Sequence, residues 1–108
     1  MLLIEGVGGI MTPLNDTETY IDLLQAWQYP IVLVVGMKLG CLNHALLTVR
    51  ALAGLNLVGW IANCGQPSML VLQENLTYLE KILPVPLLAT IPYQASIQVT
   101  DYFNKVIL

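Results

Sequence analysis

At 108 residues the chain is at most one small domain. It is 56% hydrophobic and only 10% charged, against roughly 25% charged in an ordinary soluble domain, yet its strongest apolar run, PIVLVVGM at 30–37, stops at Lys38, short of the about 18 residues a membrane span needs. A net charge of −3 with four scattered basic residues argues against a nucleic-acid surface.

The amino-terminal run has no basic segment and carries Glu5, so it does not read as a secretory signal. Cys41 and Cys64 have neither metal-type spacing nor the density of a disulfide scaffold. They read as reduced thiols in a cytoplasmic protein. In that setting the sequon matches at 15–17 and 75–77 carry no meaning.

In chain order, LLIE at 2–5 predicts a short strand and 18–27 a helix. IVLVV at 31–35 is continuously apolar and β-branched, which predicts a strand buried on both faces. Residues 42–53 have helical spacing, with Gly54 as the stop. LVGWIAN at 57–63 predicts a further strand. The clearest helix spans 68–83, with Leu72, Leu76, Leu79 and Leu83 on one stripe and Glu74, Glu80 and Lys81 in water. LLATI at 87–91 predicts a last strand between Pro86 and Pro92, and 97–107 a terminal helix. This alternation defines an α/β fold, a parallel sheet with flanking helices. A four-stranded sheet with too little chain to cover its faces is expected to be part of a domain, not a whole one.

Ligands of open α/β sheets bind beyond the carboxyl ends of the strands. The first expected strand ends in Glu5-Gly6-Val7-Gly8-Gly9. Glycines there let backbone N–H groups turn inward as an anion cradle. A carboxylate beside a bound phosphate needs a cation between them, so Glu5 is a candidate Mg²⁺ ligand; the alternative is a capping Glu beside a tight turn. The second strand leads into Gly36-Met37-Lys38-Leu39-Gly40-Cys41-Leu42-Asn43-His44. A lysine, glycines and a helix N-terminus favour an anion, although an ordinary turn with an exposed lysine has the same composition. No G-x-x-x-x-G-K-[ST] loop is present. Cys41 reads as a packing residue, and His44 as orienting the loop. Asn63, before Cys64 and Gly65, offers an amide to read a base edge or to form a turn.

IEGVGG, TPL-D-T, VLVVGMKLGCLNHALLT, GWIAN and IPY, in this order, resemble the carboxyl-terminal half of dethiobiotin synthetase over nearly the whole chain. The KLGCLNHA segment is the most specific part of the match. The resemblance implies a P-loop NTPase-like three-layer α/β domain, a homodimer, and an ATP-dependent cyclo-ligase of biotin biosynthesis. The substrates it implies are diaminopelargonic acid, CO₂ or bicarbonate, and ATP. One amine becomes a carbamate, ATP phosphorylates it, and the second amine displaces phosphate to close the cyclic urea.

By motif, Glu5 resembles the Mg²⁺-binding glutamate, and Glu5, Gly6, Val7 and Gly8 the loop beside ATP phosphates and carbamate. Asn63 resembles the adenine-reading asparagine, and Pro92, Tyr93 and Gln94 the segment lining the base. Lys38, Gly40, Cys41, Leu42 and Asn43 resemble the loop that holds the substrate's carboxylate across the dimer. Cys64 stands where the family usually has Asp. The amino-terminal half, with phosphate loop and catalytic lysines, is absent from this sequence, so no catalytic residue is assigned and the chain is expected to be inactive alone. It could be joined by a separate amino-terminal half. The alternatives are a non-catalytic dimerisation or interaction remnant, or a partition-type ATPase relative.

Overall fold

A computed structural model describes residues 1–65 and 70–93. Six elements occur in order: α1 (Tyr20–Trp27), β1 (Ile31–Gly36), α2 (Cys41–Ala51), β2 (Leu57–Asn63), α3 (Leu72–Ile82) and β3 (Leu87–Ile91). The expected helix at 97–107, the first residues of the helix expected from 68, and Gln94 lie outside the described residues. No helix among the described residues is long and apolar enough to cross a membrane.

The strands form one parallel sheet of order β1-β2-β3. β1 and β2 are each followed by a helix that returns the chain to the same end, so neighbours in sequence become neighbours in the sheet. The inner face and the two crossover helices share one core. Val35 of β1, Trp60 and Ala62 of β2, Cys41 and Ala45 of α2, and Leu76 and Leu79 of α3 are all buried in it. Trp60 and Leu79 are fully enclosed. The leucine stripe expected of α3 does the packing, with Leu83 buried and Leu72 against the cluster. The indole Nε1 of Trp60 has no hydrogen-bond partner among the described residues. Gly54 ends the α2 region with φ 84°, in the left-handed conformation that favours glycine.

Two expectations are corrected. Residues 2–5 form no strand: Leu2 and Leu3 are exposed and pair with nothing in the sheet. An apolar run becomes a strand only when another strand takes its N–H and C=O groups, and none among the described residues does. Residues 9–21 are tied locally instead. Thr12 N–H donates to Gly9 O, Tyr20 N–H to Thr12 O and Ile21 N–H to Ile10 O. At the head of α1 the Asp22 carboxylate accepts from Thr19 N–H at 2.7 Å and from its hydroxyl at 2.9 Å. These bonds hold the Asp22 carboxyl below its usual range.

The second correction concerns β1. Residues 59–62 of β2 are buried in succession, as a doubly covered strand should be, but Val32 and Val34 of β1 are 39% and 56% exposed. The cause is one-sided cover. The core helices α2 and α3 pack on the face bearing Leu33 and Val35.

Gly59 reports how tightly the other face of β2 is closed. A Cβ at Gly59 would stand 2.6 Å from both Cγ and Cδ1 of Leu88. Gly59→Ala should therefore cost about 1–3 kcal/mol by overpacking, and pairing it with Leu88→Ala should recover part of that loss. Urea midpoints of the two variants and the double mutant check this; strict additivity would show that the two positions do not compete for space.

Candidate functional site at the carboxyl edge of the sheet

The register sets Gly36 of β1 opposite Asn63 of β2, and Asn63 opposite Ile91 of β3. All three strands therefore end level, about 5 Å apart. The segments beyond them, 37–40, 64–65 and 92–93, emerge side by side. Met37 N–H donates to Asn63 O at 2.9 Å, and Cys64 N–H to Ile91 O at 2.8 Å, which ties each exit to the next. Lys38, Asn63, Pro92 and Tyr93, singled out separately in the sequence, thus lie along one edge.

Each side chain there has a distinct setting. Lys38 is exposed in the loop between β1 and α2. Gly40, with φ 89°, turns the chain into α2 and caps it without a side-chain hydrogen bond. Cys41 N–H is bonded to Lys38 O, and His44 N–H to Gly40 O. The N–H groups of Leu42 and Asn43 accordingly remain without a backbone acceptor among the described residues. Cys41 and Leu42 turn their side chains into the core, so only their backbone can meet a ligand, whereas Asn43 is exposed. Asn63 closes β2 with its amide over Gly65, 3.8 Å from where a Cβ there would sit. Its side chain makes no turn-forming hydrogen bond among the described residues. Tyr93 is 60% exposed, and Pro92 is half-buried beside it.

The Glu5-Gly6-Val7-Gly8 segment stands apart from this edge in its construction. It belongs to no strand, and Glu5 and Val7 are exposed. Its glycines are held by contacts that sequence reading missed. A Cβ on Gly6 would fall 2.6 Å from the Tyr20 ring, and one on Gly8, at φ 101°, would fall 2.5 Å from Thr12 Oγ1. A side chain at Gly6 would have to displace the Tyr20 ring, and one at Gly8 would displace Thr12 and strain the backbone as well. The spacing TPL…TY, which brings Thr12 and Tyr20 back over the loop, carried no recognisable signal. Thr48 was also missed. With Lys38, Cys41 and His44 it lines a groove of about 210 Å³ between β1 and α2, and its spacing of four from His44 on one helix face was the available clue.

Among the described residues no cluster of His, Cys, Asp or Glu could hold a metal unaided. A single exposed carboxylate still suits Mg²⁺, which keeps several waters and binds through one or two carboxylates plus phosphate oxygens. Glu5 fits that limited role.

The architecture is a parallel α/β sheet whose strand exits lie side by side along one edge. The profile of the AAA-domain family matches residues 1–100, and the chain belongs to that family, a group of P-loop NTPases. The chain is 50% identical over 98 residues to the ATP-dependent dethiobiotin synthetase BioD of Legionella pneumophila (strain Corby), covering 89% of this chain and 46% of that protein. To the BioD enzymes of Cellvibrio japonicus (strain Ueda107) and Salmonella typhi (BioD 1) it is 52% identical, over 83% and 85% of its length and 40% and 41% of theirs. The chain is a homologue of dethiobiotin synthetases and spans under half the length of these relatives.

Cys64 gives the site a pH signature. Burial pushes its thiol above the ordinary 9.0, because removal from water disfavours the thiolate. Folding then binds the proton more tightly, so this contribution to stability is intact below the unfolded pKa and lost as pH rises from there through the folded value. Urea midpoints of the wild type should fall more steeply above about pH 8.5 than those of Cys64→Ala. Parallel curves would contradict a protonated, buried thiol.

Proposed function

We propose that the chain is the carboxyl-terminal part of an ATP-dependent dethiobiotin synthetase, a cytoplasmic homodimeric enzyme that closes a cyclic urea from diaminopelargonic acid, CO₂ and ATP. The observation that carries this reading is the level carboxyl edge. It groups Lys38, Asn63, Pro92 and Tyr93 in a chain about half identical to enzymes of that name.

The roles divide by chemistry. Asn63 offers both an amide donor and a carbonyl acceptor, the pair that an adenine edge requires, and its side chain makes no hydrogen bond with another described residue. Tyr93 and Pro92, with Gln94 next in sequence, supply the flat and apolar surface against the base. Lys38 and the open N–H groups of Leu42 and Asn43, introduced by Gly40 and Cys41, favour the carboxylate of the substrate's tail, in this reading that of the other protomer's substrate. Gly6, Val7 and Gly8 let backbone approach the phosphates and carbamate. Mg²⁺ held by Glu5 and phosphate oxygens would neutralise charge on the transferred group.

Phosphoryl transfer also demands a phosphate cradle and a lysine aimed at the transferred group. Lys38, the one cation of this loop, serves the carboxylate in this reading. The 108-residue chain alone should therefore show no turnover with diaminopelargonate, bicarbonate, Mg²⁺ and ATP. Supplying the amino-terminal part of a relative should restore it. Activity of the lone chain, free of host enzyme, would sink the claim of incompleteness. A reconstituted pair that binds no nucleotide would favour a non-catalytic interaction remnant.

Within a reconstituted enzyme, Lys38→Ala should raise KM for diaminopelargonate by about tenfold or more, the scale of one lost charge-assisted hydrogen bond, and leave KM for ATP nearly unchanged. Glu5→Gln should lower kcat and alter its Mg²⁺ dependence with little change in Tm. Steady-state kinetics separate the two. An ATP-specific defect in Lys38→Ala, or normal Mg²⁺ dependence in Glu5→Gln, contradicts the respective assignment.

A further inference from the structure

The glycine loop at 5–9 and the turn that follows it meet through two hydroxyl-bearing side chains. Tyr20 N–H donates to Thr12 O at 2.9 Å, so the two residues are held together where the turn folds back, and both are half-buried. Thr12 lies against Gly8 through Oγ1, the atom nearest to where a Cβ there would stand. Tyr20 lies against Gly6 through the far end of its ring. Cζ, which carries the hydroxyl, comes within 2.6 Å of the point a Gly6 Cβ would occupy, and the two Cε atoms within 2.9 Å. The oxygens of both side chains are thus brought to one loop, at positions two residues apart along it.

Neither hydroxyl is used inside the fold. The hydroxyls of Thr17, Thr19 and Thr48 are hydrogen-bonded to Asn15, Asp22 and His44, whereas those of Thr12 and Tyr20 have no partner among the described residues. The N–H groups of Gly6, Val7 and Gly8 likewise have no acceptor among the described residues. Five donors on and against one loop are therefore left for water or a ligand, because a half-buried polar group is costly without a partner. A ligand that matches a set of donors is one made of acceptors, and an oxyanion is the strongest of these. Packing against Gly6 and Gly8 would be served as well by Phe and Val, so the two oxygens are what packing leaves unexplained.

We propose that the Thr12 and Tyr20 hydroxyls are ligand-binding groups of the glycine loop, donating hydrogen bonds to an oxyanion of the reaction, the transferred phosphoryl group or the carbamate that receives it; the proposal rests on the functional reading above. In that reading the backbone of Gly6, Val7 and Gly8 approaches this oxyanion, and the two hydroxyls add side-chain donors that carry no charge of their own.

The test uses Tyr20→Phe and Thr12→Val, which remove an oxygen and keep the bulk, with Thr12→Ser as the variant that keeps the oxygen. The ¹⁵N-labelled chain, mixed with the amino-terminal part of a relative, is titrated with inorganic phosphate and Mg²⁺, and steady-state kinetics are measured in the same mixture. Phosphate should move the Gly6, Val7 and Gly8 amide resonances. Tyr20→Phe and Thr12→Val should each weaken that binding about tenfold, the scale of one hydrogen bond to a charged group, at unchanged Tm, while Thr12→Ser binds as the wild type does. The same two variants should lower kcat/KM about tenfold. A raised KM for ATP marks the phosphoryl group as the partner, and a raised KM for bicarbonate marks the carbamate. Wild-type phosphate affinity and kinetics in both variants would show that the hydroxyls only fill space, which overturns the proposal and leaves the function standing. Phosphate binding that both variants weaken, in a mixture without turnover, supports the two hydroxyls and counts against the function. Loop amides unmoved by phosphate overturn the proposal.

Discussion

The parallel register of three strands is the constraint on which the rest depends. It is fixed from the inside, because Trp60 can be fully enclosed only where α2 and α3 both reach it. A slip of one residue would exchange Val35 and Ala62 for Val34 and Ile61 on the core face and unseat both helices. With that register held, Gly36, Asn63 and Ile91 end level, and residues up to 55 positions apart in sequence present their polar groups along one edge. The chemistry at the edge is thus a consequence of packing several residues below it.

Much of this is legible in the sequence because period and punctuation agree. β-branched runs without polar interruption, leucines at helical spacing, and a glycine after α2 each specify one element and its buried side. The position of Asn63 at a strand's end comes from the same pattern. Residues 2–5 misled for a physical reason: an apolar pattern records what a segment can bury, while pairing depends on a partner strand elsewhere. The outer face of β1 differed from expectation in the same way, since IVLVV records burial among more neighbours than the described residues provide. Tyr20 over Gly6 and Thr12 against Gly8 could not be read at all, because such contacts depend on how the 9–21 turn folds back and leave no periodic trace.

Cys64 illustrates how a departure from a family pattern can be understood physically. The resemblance leads one to expect Asp there, and the structure puts a buried thiol against the core cluster. A carboxylate in that setting would need a compensating partner to remain charged, whereas a thiol packs as a small apolar group. The edge around Asn63 is retained with a neutral neighbour. Gly6 and Gly8 show a different constraint, since Tyr20 and Thr12 occupy the space a side chain would need there.

The central claim is that the ligand-facing end of this molecule is the carboxyl edge of the sheet. Its most direct test is a titration of the ¹⁵N-labelled chain with ATP, monitored by chemical-shift changes at every assigned backbone and side-chain amide. The account predicts changes concentrated at the Asn63 side-chain amide, Gly65 and Tyr93, fading along β2 towards Leu57. Changes centred on the solvent face of α3, with the Asn63 amide unmoved at saturating ATP, would contradict it.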